Sequence, residues 1–156
     1  MDGLYRNCSG VVLFNKHGMV FVGKRIDTEG FAWQLPQGGV NEEEDFKIAA
    51  LRELKEETGI TSVDVIYESR YIHKYDIPFH KSLWDGKYVG QIQKWFLAAF
   101  YGQDNEININ TKEPEFNDWR WIDIHELQNF AIHFKKDVYK NISLEFAPII
   151  ERYLHT

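Results

Sequence analysis

The segment GGVNEEEDFKIAALRELKEETGI, residues 38 to 60, limits the possible folds more than any other part of this chain. Two adjacent glycines permit a tight backbone turn. An acidic run, Glu42, Glu43, Glu44 and Asp45, leads into a helical pattern from about residue 44 to 58. Gly59 stands where a left-handed residue ends a helix. Glu53, Glu56 and Glu57 are spaced i, i+3, i+4 and share one side of that helix. Ile48, Leu51 and Leu54 are expected on the opposite side, docked on a sheet. Carboxylates gathered on one side repel one another. The helix taken alone is either a solvated acidic surface or a holder of hard cations, which take oxygen ligands.

The rest of the chain reads as strand and helix in alternation. Residues 4–14 and 19–24 are β-rich and separated by NKHG, a plausible hairpin loop. AWQLPQGG is a short extended piece before the acidic helix, and residues 63–75 read as one long strand. IQKWFLAAFY, residues 92–101, is apolar on both faces, as suits a central strand covered on both sides. DWRWIDI supplies another strand, HELQ a brief helix, and residues 137–153 a longer one. That last helix has Val138, Ile142, Phe146 and Ile149 along one side and Pro148 as a possible kink. The order predicts an α/β (α+β) fold, a mixed sheet sandwiched between helices, in one domain over residues 1–156.

Charge and composition remove several function classes. A net charge of −6 argues against a protein that coats DNA or RNA through its phosphates, but not against one that grips a single phosphorylated end. The lone Cys8 excludes an intramolecular disulfide and a multi-cysteine zinc site. No apolar run is long enough to span a bilayer and the start lacks a signal-peptide pattern. A cytoplasmic protein with no membrane partner is therefore expected.

The spacing around the helix narrows the reading further. Gly38, Glu44, Arg52, Glu53, Leu54, Glu56, Glu57, Gly59 and Ile60 satisfy G-x5-E-x7-R-E-U-x-E-E-x-G-U at every specified position, U being a bulky aliphatic residue. With this box the chain resembles the Nudix hydrolases, which cleave a nucleoside diphosphate linked to another group. The resemblance implies the Nudix fold, an α-β-α sandwich, and a metal-dependent pyrophosphohydrolase using Mg²⁺ or Mn²⁺, with more than one ion. It assigns Glu53, Glu56 and Glu57 to the metal, with a main-chain carbonyl at Gly38 or Gly39. Arg52 would hold a carboxylate by a bidentate pair, Glu44 being the expected partner. Glu53 or Glu56 would take the proton of the attacking water.

YRNCSGVVLFN, WQLPQGGV, GQIQKWFLAAF, PEFNDWRWI and HFKKDVYK extend the similarity over nearly the whole chain. They look like the bacterial RNA pyrophosphohydrolases, relatives of the dinucleoside polyphosphate hydrolases. That likeness implies removal of pyrophosphate, or successive phosphates, from a 5′-triphosphorylated or diphosphorylated RNA end, leaving a monophosphate and triggering mRNA decay. Glu115 would be a further metal carboxylate, or else a solvated loop residue. Arg6 and Arg25 would contact phosphate or RNA, or lie on the surface. Phe134 and Lys135 would stack on and bind the second nucleotide, though a Phe there also suits packing at a helix start. Gln93 and Lys94, polar on an apolar strand, either line the site or pair within the fold. His133 and the longer loop at 27–31 depart from the pattern beside the nucleotide pocket. A dinucleoside polyphosphate such as diadenosine tetraphosphate is the alternative substrate, and a non-catalytic nucleotide-binding module a third reading. The full carboxylate set disfavours the third. A stimulating protein partner is neither advertised nor forbidden.

Overall fold

The computed structural model describes residues 4–26, 33–77, 87–131 and 135–156. Phe134, His133 and the loop at 27–31 fall outside the described residues.

Two long strands form the backbone of the fold. Strand β1 (Leu4–Phe14) runs parallel to a central strand over Tyr88–Phe100 along almost its whole length, from Leu4 opposite Tyr88 to Phe14 opposite Ala99. Around them assemble β2 (Val20–Arg25), β3 (Trp33–Gln34), β4 (Gln37–Gly39), β5 (Val63–Glu68) and β6 (His73–Asp76). The central strand is β7, and β8 (Phe116–Ile122) completes an eight-stranded mixed sheet. Its main path is β3-β2-β1-β7-β5, with β4 on β1, β6 on β7 and β8 on β2. The helices are α1 (Phe46–Thr58), the short α2 (Leu127–Phe130) and α3 (Lys136–Leu154).

Alternation along the strands builds two cores. Val12, Phe14, Trp95, Leu97 and Ala99 project to one face, where Val138, Ile142, Phe146 and Ile150 of α3 cover them. Val11, Leu13, Phe96, Ala98 and Phe100 project to the other and meet Ala50 and Leu54 of α1. Because both faces are covered, the central strand reads as a continuous apolar run. The mixed sheet between helices is the expected one.

Two local expectations are corrected. The predicted strand over 63–75 is interrupted after Glu68. Glu145 of α3 accepts hydrogen bonds from Ser69 Oγ (2.6 Å) and from the Arg70 amide (2.9 Å), turning residues 69–72 away from the sheet before β6 resumes. The apolar side of α1 is also not the one its large residues suggested. Ile48 is 61% exposed, while Ala49, Ala50, Leu54, Glu57 and Thr58 are buried. The small alanines let the helix backbone approach the sheet, and Ser9 Oγ donates to the Phe46 carbonyl at 2.7 Å. This turns α1 by roughly a quarter turn at 100° per residue and carries Glu57 into the interior on the stripe of Ala50 and Leu54.

Candidate active site

The helix is positioned by its ends. Asp45 has extended backbone angles, and its side chain accepts from the Lys47 and Ile48 amides, a standard N-cap. Gly59 has φ 73° and donates its amide to the Lys55 carbonyl, closing the C-terminus in the left-handed conformation. Between β4 and α1 the chain folds back on itself. Glu43 takes a positive φ of 64°, and the Asn41 amide donates to Glu44 Oε1 at 2.9 Å. The turn thus delivers the Glu44 carboxylate to the helix.

Arg52 ties the whole motif together. Its Nε and Nη2 donate to the two oxygens of Glu44 at 2.8 and 2.9 Å, a bidentate fork. Nη2 also reaches the Gly39 carbonyl at 2.9 Å, while Nη1 reaches Glu53 at 2.9 Å and Glu56 at 3.2 Å. The guanidinium hydrogen bonds, with help from the Asn41 amide, hold the Glu44 carboxyl down at about 2. Glu44 in turn holds the Arg52 pKa above its already high value.

The glycines answer a spatial demand. A Cβ built on Gly38 would collide with the Glu53 carboxylate, and one on Gly39 with the Arg6 guanidinium. Gly38 and Gly39 pair with Ser9 and Cys8 of β1, so this crowded backbone is anchored in the sheet. Only glycine lets Glu53 lie against the main chain here.

Glu53, Glu56, Glu57 and Glu115, with Lys112 and Glu113, line a cleft of about 310 Å³. Glu57 is 3% exposed and its Oε2 has no hydrogen-bond partner among the described residues. Burial, reinforced by the charges of Glu53 and Glu115, raises its pKa well above the carboxylate range, although the Gln37 amide opposes this. Burial also raises Glu53, against the pull of Arg52. A buried carboxylate oxygen without a partner, facing further carboxylates, is costly unless a cation satisfies it. The donors are all oxygen, the set preferred by hard divalent ions. Among the described residues, no three metal-ligating side chains are already closed into a finished cage. By the chemistry of their donors, the residues lining this cleft fit a divalent metal.

On the α3 side of the sheet, a polar nest adjoins β4. Gln93 Nε2 lies within hydrogen-bond reach of Gln37 Oε1 (2.6 Å), Gln91 Oε1 (2.8 Å) and the Tyr75 hydroxyl (2.9 Å). Gln93 Oε1 accepts from Trp95 Nε1 at 2.9 Å. Lys135 Nζ and Arg25 Nη1 both point to Gln34 Oε1, at 3.2 and 3.5 Å. Burial keeps the Tyr75 and Tyr139 hydroxyls protonated by raising their pKa values, and Tyr139 accepts the Leu35 amide at 2.9 Å. Gln93 and Lys135 are buried and Arg25 is half-buried, and the Arg25 charge acts on Tyr75, whose hydroxyl Gln93 reaches. Arg6 lies beside Gly39, whose carbonyl accepts from Arg52.

Lys94 is not in the nest. It projects toward the α1 face and pairs with Glu68 at 3.0 Å, because alternate residues of β7 point to opposite faces. Sequence reasoning missed Gln34, Gln37, Gln91 and Tyr75. The usable signal was the pair of glutamines flanking Leu-Pro in WQLPQGG, and the repeat of Gln91 and Gln93 two residues apart on an apolar strand.

Comparison with known proteins agrees with this geometry. The sequence profile of the NUDIX domain matches residues 4–142. A protein of Sphingopyxis alaskensis named RNA pyrophosphohydrolase is 49% identical over 150 residues, covering 94% of this chain and 95% of the relative. One of the same name from Pelagibacter ubique is 47% identical over 147 residues, covering 93% of each chain. Among solved structures, the E. coli dihydroneopterin triphosphate pyrophosphohydrolase superposes with a TM-score of 0.75 at 21% identity, covering 92% of this chain and 97% of that one. A C. elegans Ap4A hydrolase binary complex gives a TM-score of 0.67 at 20% identity, covering 92% and 98%. These two likenesses speak for the fold alone. With its signature box complete, its fold shared and near-full-length relatives at almost half identity, this chain belongs to the Nudix family of hydrolases.

Proposed function

We propose that this protein is an RNA pyrophosphohydrolase. It removes pyrophosphate, or successive phosphates, from the 5′ end of triphosphorylated or diphosphorylated RNA and leaves a monophosphorylated end, a product that triggers mRNA decay. The observation that carries the chemistry is the buried Glu57 carboxylate in a cleft of glutamates, one of its oxygens without a partner among the described residues. The substrate class rests on relatives of that name that match nearly the whole chain.

Glu53, Glu56, Glu57 and Glu115, with the Gly38 carbonyl, would hold Mg²⁺ or Mn²⁺, more than one ion. Bound divalent ions supply Lewis acidity at a phosphoryl oxygen and acidify water. The chain does the rest. Gly38 leaves room for Glu53 to lie along the main chain, and Arg52 fixes Glu53 and Glu56 relative to Glu44. With their positions set by one guanidinium, Glu53 or Glu56 takes the proton of the attacking water at a carboxylate oxygen. Arg6, Arg25 and Lys135 place positive charge around the polar nest, where the phosphates and second nucleotide of an RNA end would lie, with Phe134 as the stacking platform. Gln93 and its partners give the pocket fixed donors and acceptors.

The test is a Mg²⁺-dependent competition between a short 5′-triphosphorylated RNA and diadenosine tetraphosphate, comparing kcat/KM. A strong RNA preference that shrinks in Phe134→Ala is expected. Preference for the dinucleotide would instead make the protein a nucleotide-pool hydrolase, and no turnover of either would indicate a binding module.

A further inference from the structure

A cavity of about 720 Å³ lies away from the glutamate cleft, where the connection between β5 and β6 crosses the flank of α3. Such a volume falls within the range of small-ligand pockets. Its walls are built rather than incidental. Glu145 accepts from the Tyr67 hydroxyl (2.7 Å), Ser69 Oγ and the Arg70 amide, and Ser69 Oγ in turn accepts the Tyr71 amide at 3.1 Å. One carboxylate therefore locks the turn of residues 69–72 onto α3 before any ligand arrives.

Three features of this pocket are left without use by the fold. His73 is 7% exposed, lines the cavity, and its Nε2 has no hydrogen-bond partner among the described residues. That nitrogen is closed to solvent, so the imidazole senses the packing of the groove above it. Arg70 and Arg152 also line the cavity, and among the described residues neither side chain has a carboxylate within ion-pair distance. Glu145 is already engaged by neutral donors. Tyr71, 62% exposed, and Leu144, 68% exposed, form an apolar rim that water solvates poorly.

An aromatic and aliphatic rim beside two guanidinium groups forms the complement of a planar ring carrying an anion. We propose that this groove is a second ligand site that binds a nucleoside monophosphate. The base packs on Tyr71 and Leu144 and the phosphate lies between Arg70 and Arg152, with the His73 ring closed beneath them. An inorganic anion would leave the rim bare, and an uncharged aromatic would leave both guanidinium groups unused. His73 pairs across the sheet with Gln93, the centre of the polar nest, so a ligand here sits one strand away from the nest.

The experiment is a ¹H–¹⁵N NMR titration of the full chain in Mg²⁺ with AMP, adenosine and inorganic phosphate in parallel. AMP is expected to shift the Arg70, Tyr71 and His73 amides and the His73 ring nitrogen saturably. Adenosine or phosphate alone should bind at least about tenfold more weakly, a loss equivalent to one charge-assisted contact. Arg152→Ala and Leu144→Ser, both on the exposed face of a long helix, should each weaken AMP by a similar factor, whereas Glu57→Gln should leave this site unchanged. AMP shifts confined to the glutamate cleft and the nest would overturn the proposal. So would equal saturation by phosphate alone or by adenosine alone, or AMP binding indifferent to both groove substitutions.

Discussion

Replacing Glu57 with glutamine should make the metal-free protein more stable, and the reason lies in two atoms. Glu57 Oε1 and Oε2 sit in a buried position where one oxygen has no partner, and Glu53 and Glu115 are the charges that raise its pKa after burial itself. Glutamine keeps the shape and retains an acceptor for the Gln37 amide. It presents N–H donors to the neighbouring carboxylates instead of a third negative charge. Removing an unsatisfied buried group is worth ~1–3 kcal/mol. At about 2 kcal/mol, a chain of 156 residues should melt roughly 4–8 °C higher.

The pH dependence has a definite sign. The raised folded pKa means that the folded state binds the extra proton between the unfolded value, about 4.3, and the raised folded value. Stability of the wild type therefore falls as pH climbs through that window, and the penalty is complete above the folded pKa. The advantage of Glu57→Gln should be full there and vanish toward pH 4. Mg²⁺ should reverse the order. An ion at a hundredfold its dissociation constant adds ~2.7 kcal/mol to the wild type by mass action, more than the ~2 kcal/mol advantage of the variant, and little to the variant. Differential scanning fluorimetry at several pH values, with EDTA or Mg²⁺, reads all of this. A variant less stable than the wild type in EDTA, or one stabilised equally by Mg²⁺, would refute the reasoning.

Gly38→Ala should cut kcat by two orders of magnitude or more while circular dichroism stays native, because the new methyl displaces the Glu53 carboxylate rather than the fold; native turnover would contradict this. Arg52→Lys keeps the charge but loses the fork onto Glu44 and the bond to the Gly39 carbonyl. Metal affinity, measured by calorimetric Mn²⁺ titration, should fall ~10–100-fold, the usual loss for a group that orients metal ligands. Gln93→Leu strands Trp95 Nε1 in the interior, while the Tyr75 hydroxyl keeps Gln91 as its acceptor. At ~1–3 kcal/mol for one stranded group, urea unfolding should show about 2 kcal/mol lost, and no loss would mean that water enters the nest.

The linear sequence by itself determined the parts of this protein that depend on near neighbours. The cap at Asp45, the stop at Gly59 and the helix glutamates Glu53, Glu56 and Glu57 all lie within one short segment, where spacing and backbone chemistry suffice. The apolar run over the central strand declared a sheet covered on both sides, as the cores confirm. Tertiary structure decided everything that needed a distant partner. Leu54 and Glu57 both lie within α1, yet only the close approach allowed by Ala49 and Ala50 turned Glu57 inward. Gln37, Tyr75, Gln91 and Gln93 come from three separate strands and meet because β4 and β6 pair with β1 and β7. Lys94 looked like a companion of Gln93, but strand pleating sends it to the other face. The groove beside α3 exists because Glu145 reaches back across the chain to Ser69. Such contacts join residues whose local patterns carry no record of one another. The fold sets them by bringing the strands into register.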